Sequence, residues 1–152
     1  MSEDGGPGIG MVALDGWDTH NGQANRLTHS FAALDEALGA LKTSLGSSWE
    51  KSCIVVTSEF GRTAAANGTR GTDHGTGGLT MLLGGAVKGG KVHGDWPGVK
   101  PSALYEGRDL YPANDIAGIM KGVMRDHLGI KRAALDADIF PRSGRAFDGL
   151  IS

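Results

Sequence analysis

Glycine is the feature that most restricts how this chain can fold, since it accounts for 26 of the 152 residues. That share is more than twice the usual level of roughly 7%. The glycines are not periodic, which excludes collagen-like and repeat architectures, and they concentrate in residues 61–78 and 84–98. Because glycine permits tight turns and close backbone approach, these two regions are expected to surround something bound. The alternative is that they are simply mobile loops.

Three short apolar runs predict buried strands between the glycine-rich regions. They lie at residues 9–14, 53–57 and 79–83, and the second is rich in β-branched residues. Each is too short for a helix, so a strand is the better interpretation.

Two longer hydrophobic patterns predict helices. The first is an apolar stripe with alternating spacings of four and three residues, and Gly46 ends it. Its members are Leu27, Phe31, Leu34, Leu38, Leu41 and Leu45. The second helix is expected to begin near Ile116 with Asn114 or Asp115 as its cap, and residues 131–137 suggest a further short helix.

The order of these elements predicts an α/β fold with a mostly parallel sheet and helices packed on it. We expect one domain over residues 1–152, with flexible ends at residues 1–8 and 142–152. In such sheets the functional groups gather at the C-terminal ends of the strands. Polar clusters do occur close to all three predicted strands.

Charge and cysteine content exclude several classes of protein. The net charge of about −2 gives no reason to expect binding to nucleic acid or to an anionic membrane surface. Cys53 is the single cysteine, so neither an internal disulfide nor a thiolate metal cluster can form. No apolar run approaches the roughly 18 residues that a membrane span needs.

The first polar cluster follows residues 9–14 and contains Asp18 and His20. These residues are two apart, so on an extended segment their side chains point the same way. A carboxylate and an imidazole presented together suit zinc, manganese or iron. The pair alone is weak evidence, because the same spacing arises by chance.

The second cluster follows residues 53–57 and contains Glu59 and Arg62. A carboxylate at the end of an apolar strand is costly unless a cation accompanies it. Either the two residues form a simple ion pair, or Glu59 ligates a metal and Arg62 is free to hold an anionic substrate.

The third cluster is Asp73 and His74, flanked by glycines. His74 can bind a metal through one ring nitrogen, and Asp73 can orient that ring or ligate directly. The alternative is an Asp–His hydrogen bond that only holds a loop in place.

Together the clusters favour a metal site over a nucleophilic triad, because no serine or cysteine stands in a nucleophile turn. The predicted ligands of a divalent metal, zinc or manganese, are Asp18, His20, Glu59 and His74. Arg62 and Asp73 are the predicted catalytic residues.

Several short motifs follow one another along nearly the whole chain. They are Gly16-Trp17-Asp18-Thr19-His20, Ser58-Glu59-Phe60-Gly61-Arg62-Thr63, Asn67-Gly68-Thr69, Gly71-Thr72-Asp73-His74-Gly75, Leu82-Leu83-Gly84-Gly85, Gly94-Asp95-Trp96-Pro97-Gly98, Gly107-Arg108-Asp109-Leu110 and Phe140-Pro141. In this order they resemble a bacterial family, domain of unknown function 1501 (DUF1501). That family is similar in turn to the alkaline phosphatase-like superfamily, which includes the sulfatases.

The resemblance implies an α/β/α sandwich that uses one or two metals on phosphate or sulfate esters. Asp18 and His20 look like the Asp and His of one metal site, and His74 looks like its later histidine. Phe60 stands where the superfamily often has a histidine, which puts a second metal in doubt. The superfamily's nucleophile is not found in residues 1–8, so we expect this chain to be the C-terminal part of a longer, exported or periplasmic protein.

The leading hypothesis is therefore a metal-dependent hydrolase that acts on a small anionic ester. The alternative is a non-catalytic exported or cell-surface binding module, in which Asp–His and Glu–Arg pairs only fix loops. A third hypothesis is an incomplete, inactive fragment with an exposed sheet edge.

Overall fold

A computed structural model describes residues 8–152, so the expected flexibility of residues 1–7 lies outside the described part. Two longer helices and four short strands dominate it. The helices are α1 (Gln23–Leu45), α2 (Ile116–Leu128) and the single turn α3 (Arg132–Ala134), which continues into a π-helical turn at Leu135–Ile139. The strands are β1 (Ile54–Val56), β2 (Gly61–Arg62), β3 (His74–Gly75) and β4 (Met81–Leu83). Turns of 3-10 helix occupy Gly46–Lys51 and Pro101–Ala103.

Both predicted long helices form, and their ends follow the predicted signals. α1 ends at Gly46, which has a φ of 51°. Residues with a side chain rarely adopt this angle. In α2, the Asp115 side chain accepts a hydrogen bond from the Ala117 amide, and Gly129 ends the helix in the left-handed conformation. The apolar stripe of α1 carries the one buried residue of that helix, Leu34.

The predicted parallel sheet is wrong, and with it the α/β/α sandwich. Within residues 8–152 the strands form two separate antiparallel pairs, β1 with β4 and β2 with β3. The physical reason lies in the connection between β1 and β4. Parallel neighbours need a crossover, usually a helix, whereas the 24 residues from 57 to 80 contain only the β2–β3 pair and loops. The chain therefore returns antiparallel to β1.

The predicted strand at residues 9–14 is also absent from the described structure. This run has no regular secondary structure, and its apolar side chains are exposed. An apolar run becomes a strand only where a partner strand completes its hydrogen bonds, and no sheet edge of residues 8–152 pairs with this one.

The hydrophobic core lies where the β1–β4 pair, α2 and the end of the chain meet. Val123 of α2 packs with Leu150 and Ile151, and β1 and β4 contribute Val55 and Leu82. Backbone hydrogen bonds from Lys88 to Leu150 and from Ser152 to Ala86 fix this end of the chain. Residues 142–152 were expected to be flexible, and in the structure their last apolar side chains are core residues.

The second structural centre is a backbone clamp between residues 19–23 and residues 67–72. The Gly22 and Gln23 amides donate to the Thr69 and Arg70 carbonyls at 3.0 and 2.9 Å. A Cβ atom on Gly71 would collide with the backbone of His20, so only glycine lets the two segments lie this close. The clamp sets where His20 and the start of α1 stand relative to β3.

We predict that Leu150→Ala lowers the free energy of unfolding by about 2–5 kcal/mol, because the leucine is only 2% exposed and its loss leaves a cavity. Leu79→Ala, at a position 76% exposed, is the matched control and should change the stability by no more than about 0.5 kcal/mol. Urea unfolding followed by circular dichroism measures both. Equal effects of the two substitutions would contradict a core at this end of the chain.

Gly71→Ala is expected to open the clamp, since the added methyl group has no space beside His20. We expect a loss of more than about 1 kcal/mol in the free energy of unfolding. Gly68→Ala lies three residues away, with no atom within 4 Å of its added Cβ, and should be close to neutral. Thermal unfolding of the two variants tests the difference, and a stable, unperturbed Gly71→Ala protein would refute the clamp.

Candidate metal centre

Three of the predicted site residues converge on one point at the surface. The Asp18 Oδ1 atom lies 2.9 Å from His20 Nε2 and 2.8 Å from His74 Nε2. Asp18 and His20 come from the extended segment before α1, whereas His74 belongs to β3. One ligand atom from each residue lies within 4.8 Å of the others, and all three side chains are partly open to solvent.

Asp73 orients His20 rather than its neighbour His74. Its Oδ1 atom lies 3.0 Å from His20 Nδ1, on the opposite side of the ring from Asp18. Both ring nitrogens of His20 therefore face carboxylate oxygens. A neutral imidazole carries a single N–H and can satisfy only one of them, so a proton or a metal cation is needed at the other nitrogen.

Asn67 connects the cluster to the clamp and was not predicted as a site residue. Its Nδ2 atom donates to the His20 carbonyl and to Asp73 Oδ1, both at 2.9 Å. Its Oδ1 atom accepts from the amides of Thr69 and Gly71, both at 3.0 Å. The Asn-Gly turn at residues 67–68 was a visible signal, because asparagine in a turn commonly bonds to the backbone two residues on. Sequence alone could not show that its amide group also reaches Asp73.

Phe60 supports the ring of His74. The two rings stack with 4.5 Å between centroids and 9° between planes, and the Arg62 guanidinium lies over Phe60 at 4.6 Å. Phe60 thus holds the His74 ring in one orientation by packing against it.

Arg62 is predominantly engaged with the backbone. Its Nη1 and Nη2 atoms donate to the carbonyls of Thr72 at 2.8 Å and Trp17 at 2.6 Å, and Nη2 lies 3.5 Å from Asp18 Oδ1. Its side chain is 17% exposed. The guanidinium therefore ties the Asp18 segment to the β3 loop, and little of it is free for a substrate.

Glu59 is not part of the group that surrounds Asp18. It is an exposed residue between β1 and β2, and neither a hydrogen bond nor an ion pair joins it to Arg62 or to the cluster within residues 8–152. The structure therefore brings together Asp18, His20, His74 and, through His20, Asp73.

Arg108 approaches the cluster from the turn at residues 106–108. Leu110 donates to the Arg62 carbonyl and Ala64 donates to the Arg108 carbonyl, so residues 108–110 lie beside β2. The Arg108 guanidinium is 64% exposed and is held by the buried Asp109 carboxylate at 2.6 Å. It presents a fixed positive charge near Asp73.

Electrostatics keep both carboxylates of the site ionised. The pKa of Asp18 is lowered, mainly by its hydrogen bond with His74 and further by the charges of His20, His74 and Arg62. Hydrogen bonds from Asn67 and then His20 lower the pKa of Asp73, and the charge of Arg108 adds to them. Ionised carboxylates beside two imidazoles are the state that metal binding requires.

The donor set fits a divalent transition metal. Around a tetrahedral zinc ion with bonds of about 2.1 Å, ligand atoms would stand roughly 3.4 Å apart. The separations of 2.8 and 2.9 Å from Asp18 Oδ1 are shorter than that value, and all three ligand atoms lie within 4.8 Å of one another, so a shared cation would require the side chains to move apart. Asp73 on the far nitrogen of His20 is the partner that a metal-bound histidine ordinarily has.

No helix of the described residues combines the length and the apolar character needed to cross a membrane. Neither a curated protein nor a solved structure matches the chain. The family described as "Protein of unknown function (DUF1501)" matches residues 1–119, which include all the residues of the metal-centre cluster. Since this match covers well over half of the 152 residues, the chain belongs to the DUF1501 family.

Proposed function

We propose that the protein is a metal-dependent hydrolase of phosphate or sulfate esters, with Asp18, His20 and His74 as metal ligands. The observation that carries this proposal is the Asp18 oxygen between two imidazole nitrogens, with a second carboxylate behind His20. The resemblance of the motifs to alkaline phosphatase-like enzymes favours these two ester classes. Zinc suits two imidazoles and one carboxylate best, with manganese as the second choice.

Bound at this position, a divalent cation supplies Lewis-acid activation of an ester oxygen or of a water molecule. Other side chains of the protein orient the proposed ligands. Asp73 and Asn67 hold His20 in one orientation, and Phe60 holds His74. Arg62 fixes the segment that carries Asp18. With three protein ligands, the site leaves room for a substrate or water oxygen.

Arg108 is the residue that we assign to the anionic group of the ester. Arg62 donates hydrogen bonds to two backbone carbonyls. The Arg108 guanidinium is exposed instead, and its ion pair with Asp109 fixes its orientation. A fixed guanidinium that faces solvent suits the oxygens of a phosphate or sulfate group.

Metal binding is the first test. We expect the protein, after EDTA treatment and reloading, to retain about one zinc ion per chain. His74→Ala should lose the stoichiometric ion, and Asp73→Asn should bind it about 10- to 100-fold more weakly, because the orientation of His20 is lost. His29→Ala, an exposed histidine of α1, is the matched control. Elemental analysis and titration calorimetry give the readout, and a wild-type chain that never retains metal would overturn the proposal.

Anion binding tests the assignment of Arg108. For the zinc-loaded protein, Arg108→Ala should weaken inhibition by inorganic phosphate by about 10-fold or more, since a hydrogen bond to a charged group is lost. Arg108→Lys should retain part of the affinity. Arg70→Ala removes another exposed arginine of the same region and should leave phosphate binding unchanged. If Arg108→Ala lowers the affinity for zinc as well as for phosphate, Arg108 instead supports the side chains that bind the metal.

A non-catalytic role has one observation in its favour. The pairs Asp18–His74 and Asp73–His20 already join segments that are distant in sequence, so the cluster can stabilise loops without an ion. Under that role, His74→Ala would lower the melting temperature equally in EDTA and in zinc. Under the metal-dependent role, the melting temperature of the wild-type protein rises with zinc and that of His74→Ala does not.

A further inference from the structure

An open groove with aromatic walls lies between residues 95–97 and residues 111–113. Its volume is about 430 Å³, and its lining residues are Asp95, Trp96, Pro97, Tyr111 and Ala113. The two aromatic side chains are 69% and 50% exposed, respectively. Large aromatic groups exposed together around a concave surface are uncommon on a protein without a ligand for them.

The groove is held in a fixed shape by paired hydrogen bonds. The Asp95 amide donates to Asn114 Oδ1, and Asn114 Nδ2 donates back to the Asp95 carbonyl, both at 3.0 Å. Gly94 adopts a φ of 108°, and a Cβ atom there would come within 2.7 Å of the Asn114 side chain. Residues 94–97 are therefore fastened to the segment before α2. Tyr111 is also supported by an edge-on contact with Tyr105 at 6.2 Å.

Residues 109 and 110, which bond to the β2 segment, link the groove to the strand pair that carries His74. Tyr111 directly follows Leu110, whose amide bonds to Arg62, and Arg62 is paired with His74 across the β2–β3 ladder. The Leu110 carbonyl also accepts a hydrogen bond from Thr76 Oγ1 at 3.0 Å, so this segment lies against the residues that follow β3. A molecule somewhat longer than a simple ester can therefore reach both places.

We propose that this groove binds the saccharide part of a phosphorylated or sulfated carbohydrate, and the inference rests on the proposed hydrolase function. A pyranose ring offers an apolar face of C–H groups that packs on Trp96 or Tyr111, and its hydroxyl groups can donate to the Asp95 carboxylate. The open groove admits a chain of sugars as well as a single one. Asp95 repels a second anionic group, so the esterified end is directed to Arg108 and the metal centre.

The experiment uses the whole zinc-loaded chain and two readouts. Titration calorimetry measures binding of neutral tetrasaccharides of glucose and galactose, which need no hydrolysis. Steady-state kinetics compares 4-nitrophenyl phosphate and sulfate with the 6-phosphates and 6-sulfates of the same sugars.

Trp96→Ala should weaken tetrasaccharide binding by at least 10-fold and raise KM for the sugar esters, with KM for the nitrophenyl esters unchanged. Asp95→Asn should show a smaller effect of the same kind. Val92→Ala, a fully exposed apolar residue outside the groove lining, is the matched control and should change nothing.

The two proposals fail in distinguishable ways. Hydrolysis of nitrophenyl esters without any saccharide binding would overturn the role of the groove and leave the reaction in place. Binding of a proline-rich peptide in preference to the saccharides would also overturn it, because aromatic grooves can accept that ligand. Saccharide binding that depends on Trp96, without metal retention or hydrolysis, would support the groove and overturn the proposed reaction.

Discussion

The close contact between residues 19–23 and 67–72 is the constraint on which the candidate site depends. Asp18 and His20 lie more than 50 residues from His74 in sequence, and neither segment has a long element of its own to position it. The backbone bonds at Gly22 and Gln23 and the bare backbone of Gly71 bring the two segments together. The high glycine content is thus used for contact between chain segments. That contact is what brings Asp18, His20 and His74 together.

The chemistry of the site follows from how its polar groups are satisfied. Asp18 faces two imidazole nitrogens, and His20 faces two carboxylates. A neutral imidazole satisfies only one of these carboxylates, so the arrangement calls for either a second proton on His20 or a cation, and our proposal takes the cation. Around this centre the side chains of Asn67, Phe60 and Arg62 contact other protein groups. Arg108 is an exposed cation near Asp73.

Local signals in the sequence predicted the helices well and the sheets poorly. The stripe that ends at Gly46 and the cap at Asp115 are properties of one segment, so a single sequence contains them. Strand pairing is set by distant partners: β1 and β4 formed as predicted in position, yet they pair antiparallel because no helix connects them. Residues 9–14 carried the same apolar signal and found no partner within the described structure.

The site residues were predicted on a geometric premise that was only partly correct. Asp18, His20 and His74 were chosen because strand ends of a parallel sheet converge, and no such sheet occurs in residues 8–152. The three residues nevertheless lie together, because the clamp brings their two segments into contact. Glu59 was chosen on the same premise and is an exposed residue outside the group. The side chain of Asn67 makes several of the hydrogen bonds of this region, but its sequence context predicted only a turn.

The position of Asn67 has a consequence for motion. A single amide group holds the His20 carbonyl, the Asp73 carboxylate and the turn at residues 67–71, and the same turn anchors the first residues of α1. The backbone of His20 and the start of a 23-residue helix are therefore attached to the same turn. A displacement of the His20 backbone therefore acts on the same turn that holds the first residues of α1.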